Sequence, residues 1–518
     1  LLECARWGSK KSSCTPVPMT IPKEEEVATA SVKDSKVQED VKDMDRSTSD
    51  DEDVATDDKK IEDMTDDWVE EHMKDVTVAV IGNVDSGKST LVGVLTKGGL
   101  DDGRGLARAK VFNFSHEAAN GRTSSIAQEI MGFSAAGDQV LIDRMANTTA
   151  NSRNTTWQQV VSQSERLVTF SDLCGHEKYL KTTIFGLVGQ CPDYTMIIVN
   201  ANAGFQRMSR EHLGIALALR IPFFIVVTKI DIAPQNVFEE NLLQLHKIVK
   251  SNAVKRQPLV VKEMDQLETA ASGIFKKEAC PIFCISSVTG EGLPLLRNFL
   301  RCLPSRLQDS GLFRAPNSPA EFHIDSIYVV PGVGLVVGGV VRAGRIRSGQ
   351  QLLLGPDKVS QFKPVLVKTI QYKRVTVESA ESGQHCSFAL RSLVKRETLK
   401  KNMFRKGMVL LGPEIQPRAI WSFKAEVVIL HHATTIREGY QAMIHCGIIR
   451  QCAAVKHMSC ELLRSGDKAI VTFRWCYHAE YINLGETLLF REGRTKGLGR
   501  IVEVVDDGYN PLTRDSEK

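Results

Sequence analysis

The sequence predicts an α/β domain on a doubly wound, mostly parallel sheet, followed by two β-barrel domains and preceded by a disordered acidic segment. Three observations carry that expectation. From Val76 to about Leu303, near-continuous apolar strands alternate with helical stretches, the texture of a parallel sheet buried on both faces. After the Arg314–Pro319 linker the strands become short and are divided by Gly and Pro, and a second such region begins near Trp421. Before Val76 the chain is charged and poor in aromatics. The expected boundaries are 1–74, 75–308, 318–417 and 418–510.

The α/β strands are Val76–Ile81, Leu167–Phe170, Tyr194–Val199, Phe223–Val227 and Ile282–Ile285. Trp68, Val69 and Met73 suit a short helix against the first of them. The stretch from Ser134 to Ser164, rich in Asn, Thr and Ser, reads as an inserted loop. In the first barrel the strand signals are Glu321–Ile324, Gly334–Gly338 and Gln351–Leu354; in the second they are Ser422–Leu430, Tyr440–His445, Lys468–Trp475 and Arg500–Val505.

At 518 residues and 42% hydrophobic content the chain has enough length and apolar mass for several cores. No apolar stretch approaches the roughly 20 residues that span a bilayer, so no membrane role is expected. The opening Leu1–Trp7 carries an acid, is not followed by an apolar region and does not read as a secretory signal; lacking Met, it is expected to have lost its natural start. Twelve cysteines without CxxC pairs then read as reduced cytoplasmic thiols, and the N-x-S/T matches at Asn113, Asn147 and Asn154 as chance. The net charge of +4 conceals a division: Glu24–Asp75 holds 21 acidic and 7 basic residues, so the chain from Val76 onward is about +15. Such a body is suited to a polyanionic partner, with the acidic segment as a competitor for the same surface.

The first strand runs into Gly82-Asn83-Val84-Asp85-Ser86-Gly87-Lys88-Ser89, a complete G-x-x-x-x-G-K-S loop, and a helix begins at Lys88-Ser89-Thr90-Leu91. Glycines let backbone wrap a polyphosphate, and the helix N-terminus aims N–H groups at the anion. Lys88 is placed to reach the β- and γ-phosphates and the Ser89 hydroxyl to ligate Mg²⁺.

Three later stretches choose the nucleotide. Thr228-Lys229-Ile230-Asp231 follows the strand Phe223–Val227. The Asp231 carboxylate is suited to accept the ring N–H and exocyclic amine of guanine, a pair adenine does not offer, and the Lys229 stem to cover the purine face. Ser286-Ser287, with Val288 next, supplies backbone N–H groups for the guanine O6. Asp172-Leu173-Cys174-Gly175 is a D-x-x-G γ-phosphate sensor, with Asp172 on Mg²⁺ through water and the Gly175 amide on the γ-phosphate. Gly121-Arg122-Thr123-Ser124-Ser125 suits the other switch, whose hydroxyl completes the Mg²⁺ shell. His176, beside the γ-phosphate, is the candidate for positioning the attacking water. The reading is an α/β P-loop GTPase domain that binds GTP and GDP with Mg²⁺.

Asp172-Leu173-Cys174-Gly175-His176-Glu177-Lys178-Tyr179 resembles the D-x-x-G-H-x-x-Y signature of the elongation factor Tu superfamily. The resemblance tightens to the GTP-binding protein 1/2 family in Gly103-Arg104-Gly105, Gly121–Ser125, Glu211-His212-Leu213-Gly214-Ile215-Ala216-Leu217-Ala218-Leu219 and Phe490-Arg491-Glu492-Gly493-Arg494-Thr495-Lys496-Gly497, and covers about Asp75 to Val505. It implies a cytoplasmic monomer whose partners are the ribosome and aminoacyl-tRNA, acting in elongation or at stalled ribosomes, with GTP hydrolysis as the release switch. Two alternatives remain beside that one: a GTP-regulated RNA-decay adaptor linked to the RNA exosome, and a ribosome-rescue partner that carries no tRNA. By the same resemblance Ser125 aligns best with the Mg²⁺-binding Thr, with Thr123 as the alternative. Ser124 falls at the apolar gate position opposite Val84, Thr228 stands for the usual Asn, and Cys174 for Ala. The second barrel, with His445, Arg450-Gln451 and Arg474, resembles the one that lies against the tRNA acceptor and T arms.

Overall fold

The computed structural model describes residues 75–141, 152–306, 311–394, 399–432, 434–492 and 495–505. The acidic segment, with Trp68, Val69 and Met73, lies outside them.

The α/β domain contains β1 (Val76–Gly82), α1 (Lys88–Lys97), α2 (Leu106–Ala109), α3 (Ser115–Asn120), β2 (Ala127–Phe133), β3 (Gln139–Val140), α4 (Ser152–Gln163) and β4 (Arg166–Asp172). It continues with α5 (Leu180–Gly189), β5 (Tyr194–Asn200), α6 (Arg207–Ala218), β6 (Phe223–Thr228), α7 (Gln235–Lys250), β7 (Gln257–Val260), α8 (Gln266–Phe275), β8 (Ala279–Cys284) and α9 (Leu293–Cys302). The strands lie in the order β3-β2-β4-β1-β5-β6-β8-β7. β1 is central and parallel to both neighbours, while β2 runs antiparallel to β4.

The side-chain alternation of β1 divides the core. Val78 and Val80 pack with Leu91, Val94 and Leu95 of α1 and Phe299 of α9, whereas Ala79 and Ile81 pack with Ile184 of α5, Leu213 of α6 and Leu245 of α7. Both faces are therefore covered by helices, which explains the near-continuous apolar strands. Because every parallel strand ends on the same edge, the turns after β1, β4, β6 and β8 gather there, and these turns carry the site.

The expected loop Ser134–Ser164 is corrected. It contains β3 and the 12-residue α4, separated by residues outside the described set. Trp157, Val160 and Val161 fall at i, i+3 and i+4 and bury one helical face against Ile130, Leu167 and Val375. The Arg374 guanidinium lies 4.2 Å from the Trp157 ring centroid, so this helix joins the α/β domain to the first β domain.

That β domain contains β9 (Glu321–Val330), β10 (Gly334–Ala343), β11 (Arg345–Arg347), β12 (Gln351–Gly355), β13 (Lys363–Tyr372), β14 (Val375–Val377), β15 (Ser379–Glu381), β16 (His385–Ser392) and β17 (Val409–Leu411). Its main sheet is ordered β12-β17-β9-β10-β16-β13-β14. β12 also pairs with β13, from Gln351↔Leu366 to Leu354↔Lys363, which brings the ring back on itself. Phe322 and Phe388, 4.4 Å apart at their centroids, sit in its core.

The second β domain is a closed barrel of β18 (Ser422–His431), β19 (Gln441–Cys446), β20 (Ile449–Met458), β21 (Lys468–Trp475), β22 (Thr487–Glu492) and β23 (Thr495–Val505), ordered β18-β21-β20-β19-β22-β23. Closure leaves no unpaired edge. Phe423, Phe473, Trp475 and Phe490 fill the interior. Among the described residues no helix is long and apolar enough to cross a membrane.

Candidate nucleotide-binding site

Gly82 closes β1 and Gly87 opens α1, whose first turn has no side-chain cap, so its N–H groups stay available to an anion. The loop between is held from within: Ser86 Oγ donates to the Asn83 carbonyl at 2.9 Å and Lys88 Nζ to the same oxygen at 2.7 Å. Lys88 is 7% exposed, and burial lowers its ammonium below the usual lysine value against the opposing pull of Asp172. Gly175 is so close to the loop that a Cβ there would collide with Lys88 Nζ and lie 2.8 Å from the Gly82 carbonyl oxygen. The sensor turn and the phosphate loop are thus in direct contact.

Asp172, at the end of β4, is fully buried. Ser89 Oγ donates to its Oδ2 at 2.5 Å, Thr123 Oγ1 lies 2.8 Å from Ser89 Oγ and 3.4 Å from the same carboxylate oxygen, and Oδ1 has no partner among the described residues. Burial pushes the Asp172 carboxyl up to about 6, against the opposing effects of Lys88, Ser89 and Thr123. Two hydroxyls and a carboxylate with a free, buried oxygen form a set of hard donors that fits Mg²⁺.

The hydroxyl beside Ser89 and Asp172 is that of Thr123, whereas the Ser125 hydroxyl, the one expected there, is turned to Glu117. Ser125 Oγ and N both donate to Glu117 Oε1, at 3.0 and 2.9 Å, and Ser124 does the same at 2.9 and 2.7 Å. Burial works against the Glu117 charge, but the hydrogen bonds from Ser124 and Ser125 outweigh it and hold the carboxyl below the usual range. The α3 carboxylate thus gathers Ser124 and Ser125, leaving Thr123 buried on the Asp172 side. Ser124, expected opposite Val84, is held to Glu117 and lies 2.9 Å from His116 Nε2.

On the base side, Thr228 is buried and its Oγ1 donates to the Ser86 carbonyl at 2.7 Å, with the Val199 carbonyl 3.3 Å away. A hydroxyl carries one hydrogen, so Thr228 ties β6 to the phosphate loop. Lys229 takes positive φ (61°), and the exposed Asp231 has no hydrogen-bond or ion-pair partner among the described residues, leaving both carboxylate oxygens for a base. Ser286 Oγ accepts from Val288 N and Thr289 N at 3.2 and 3.1 Å, while the Ser287 carbonyl accepts from Asp101 N at 2.9 Å. Val288 is 41% exposed at the rim.

One cavity brings together Val84, Lys88, Ser89, Thr90, Thr123 and His176. A second, adjoining one is walled by Asn83 to Ser86. Arg108 also lines the first cavity, although the sequence reading did not single it out. His176 is half-exposed; its Nδ1 accepts from Lys178 N at 3.1 Å and its ring meets the Tyr179 ring edge-on. With Nδ1 as acceptor, the neutral ring carries its hydrogen on Nε2.

Four residues after His176 the chain enters α5, which packs on β19 of the second barrel. Nearby, Glu211 of α6 pairs with Lys496 of β23 and, at 3.4 Å, with Arg491 of β22. His445 of β19 is 2% exposed, and burial lowers it to about 3. Gln451 is also buried, donating to Glu480 Oε1 at 2.7 Å. Neither residue is exposed: Gln451 is tied to Glu480, and His445 lies on the face of β19 that α5 covers.

The Elongation factor Tu GTP binding domain family matches residues 73–305. GTP-binding protein 1 of Xenopus laevis is 47% identical over 436 residues, covering 84% of this chain and 64% of its own length. GTP-binding protein 2 of Homo sapiens is 44% identical over 432 residues, covering 83% of this chain and 69% of its own. The chain belongs to the GTP-binding protein 1/2 family.

The match spans less than two thirds of the Xenopus relative. Translation elongation factor SelB from Methanococcus maripaludis, in complex with the GTP analogue GppNHp, has the same fold with a TM-score of 0.58 at 17% identity, over 84% of this chain and 81% of its own. In this GTP-binding protein 1/2 family member the GTP-binding-domain match falls on the α/β domain, which contains the loop Gly82–Ser89.

Proposed function

We propose that this chain is a translational GTPase: with GTP bound it holds aminoacyl-tRNA, and hydrolysis on a ribosome, including a stalled one, releases it in the cytoplasm. The observation that carries this reading is the continuity from Gly175 and His176 through α5 to β19. A contact made or lost at the γ-phosphate acts at one end of a helix whose other side supports a barrel. The charge of about +15 from Val76 onward suits the polyanionic partner.

In this mechanism the α1 N-terminus and Lys88 bind the phosphates, Gly175 N–H senses the γ-phosphate, and Asp231 with the Ser286–Val288 turn selects guanine. Ser89, Thr123 and Asp172 would hold Mg²⁺, which when bound neutralises phosphate charge. His176 donates its Nε2–H to the oxygen of the attacking water and so orients it; its Nδ1 is already engaged by Lys178 N. Positioning and electrostatics supply most of the acceleration in phosphoryl transfer, so hydrolysis is slow until a partner fixes this ring.

The test is GTP turnover with ribosomes, with and without aminoacyl-tRNA, beside gel shifts with acylated and deacylated tRNA. Stimulation together with preference for acylated tRNA is expected. Equal affinity for both tRNAs would overturn delivery in favour of an RNA-decay adaptor linked to the exosome. A stoichiometric protein in place of tRNA would instead indicate a ribosome-rescue partner.

A further inference from the structure

Arg108 occupies a position that the nucleotide reading leaves unexplained. It lies on α2, the four-residue helix Leu106–Ala109, which is held by the turn before it and packs on the phosphate-binding helix. Asp101 Oδ1 accepts from Ala107 N at 2.9 Å, and Asp102 Oδ1 accepts from the N–H groups of Arg104, Gly105 and Leu106 at 2.9, 2.9 and 3.1 Å. Ala107 is buried against Gly93 of α1, where a Cβ would collide with the Ala107 carbonyl oxygen. Arg108 therefore projects from a fixed platform.

Its guanidinium runs between two glycines. A Cβ at Gly105 would collide with Arg108 Nε, and one at Gly121 would lie 3.3 Å from Nη2. Both glycines have positive φ, 99° and 62°, so the local backbone and the space it leaves both favour the absence of a side chain. The half-buried guanidinium has no hydrogen-bond acceptor and no carboxylate partner among the described residues. It lines the cavity that holds Lys88, Ser89, Thr123, Gly175 and His176, away from Asp231 and Ser286.

An arginine without a carboxylate, on the wall of the cavity that holds Lys88 and Ser89, lacks only an anion. Its planar fork matches two non-bridging phosphate oxygens, which the single point charge of Lys88 does not. We propose that Arg108 contacts the γ-phosphate and stabilises its charge during transfer, as an arginine that the chain supplies to its own active site. The inference rests on the GTPase reading above. Water oxygen bonds to the γ-phosphorus, the bond to the β–γ bridging oxygen breaks with its electron pair passing to GDP, and both water protons leave on inorganic phosphate as dihydrogen phosphate. Arg108 donates hydrogen bonds throughout and transfers no proton.

The experiment compares the full chain with Arg108→Ala and Arg108→Lys, with Mg²⁺ present. It measures GTP and GDP affinity and single-turnover hydrolysis, without and with ribosomes. Arg108→Ala should lower the hydrolysis rate about 10²-fold, with GDP affinity within about twofold of wild type as the control for folding. Added guanidinium ion at low, non-denaturing concentration should restore part of the lost rate, and Arg108→Lys should fall between the two. A structural role would show no such rescue. Wild-type rates and an unchanged GTP-to-GDP affinity ratio in Arg108→Ala would overturn the inference while leaving the GTPase reading intact. Failure of wild-type protein to hydrolyse GTP even on ribosomes would overturn both.

Discussion

Thr228 Oγ1 donates to the carbonyl oxygen of Ser86 across 2.7 Å, so the strand that carries the base-recognition turn is fastened to the loop that carries the phosphates. The bond is buried, and removing its donor leaves a carbonyl without compensation, a cost of about 1–3 kcal/mol. Thr228→Val should therefore weaken GTP and GDP by similar factors, about tenfold, with guanine selectivity retained. Isothermal titration with GTP, GDP and xanthosine triphosphate checks this; altered selectivity with unchanged affinity would assign Thr228 to the base.

On the proposed reading Asp231 selects guanine; its carboxylate is exposed and uncommitted beside the αL residue Lys229. Asp231→Asn replaces one acceptor with a donor and should shift preference from guanine to xanthine nucleotides. Competition between GTP and xanthosine triphosphate measures it, and unchanged GTP selectivity would remove Asp231 from base recognition.

Glu117 decides which hydroxyl stands beside Ser89 and Asp172, where Mg²⁺ would bind. Thr123→Ala should raise the Mg²⁺ concentration needed for half-maximal GTP binding about tenfold, since one hard ligand beside Ser89 and Asp172 is lost. Ser125→Ala should leave that requirement unchanged, its hydroxyl being on Glu117. The reverse pattern in a Mg²⁺ titration would restore Ser125.

These residues also show what the sequence could display. The strand, glycine turn and helix start at Gly82–Ser89, the turn Asp172–Gly175 after its strand, and the parallel strands were legible because each is local, contained within about a dozen residues. Thr123 and Ser125 lie in one polar run, and the choice between them depends on a carboxylate presented by a separate helix. The helix Ser152–Gln163 was hidden by its polar composition, although Trp157, Val160 and Val161 keep the helical spacing. His445 sits on the outer face of β19 by alternation with the interior Ile444 and Cys446, and strand pattern alone would leave it in solvent. The packing of α5 over that face buries it, and an interface between domains leaves no periodic signal.

On the proposed reading His176 acts on turnover more than on affinity; its ring stands at the cavity wall, engaged by Lys178 N and the Tyr179 ring. His176→Ala should bind GTP normally and lose about 10²-fold or more in ribosome-stimulated hydrolysis. Normal turnover in that variant would remove the imidazole from the mechanism.

His212 provides a pH prediction for stability. It lies within α6, fully buried, with neither ring nitrogen partnered among the described residues. Burial, helped by the positive charges of Lys88 and Arg491, lowers the imidazole to about 3. In the unfolded chain it takes up a proton near pH 6.5, so below that value the unfolded state binds more protons and stability falls with pH. The loss is about 1.4 kcal/mol per pH unit per histidine until the folded value near 3 is reached. His445 is lowered similarly, so the two contribute comparable slopes between pH 6 and 4. His212→Leu should thus reduce, but not abolish, the pH dependence of the urea midpoint, with the greatest gain over wild type at the acidic end. A wild-type slope in this variant would mean that the buried imidazole is protonated in the folded protein, and the acid sensitivity would then have to come from elsewhere.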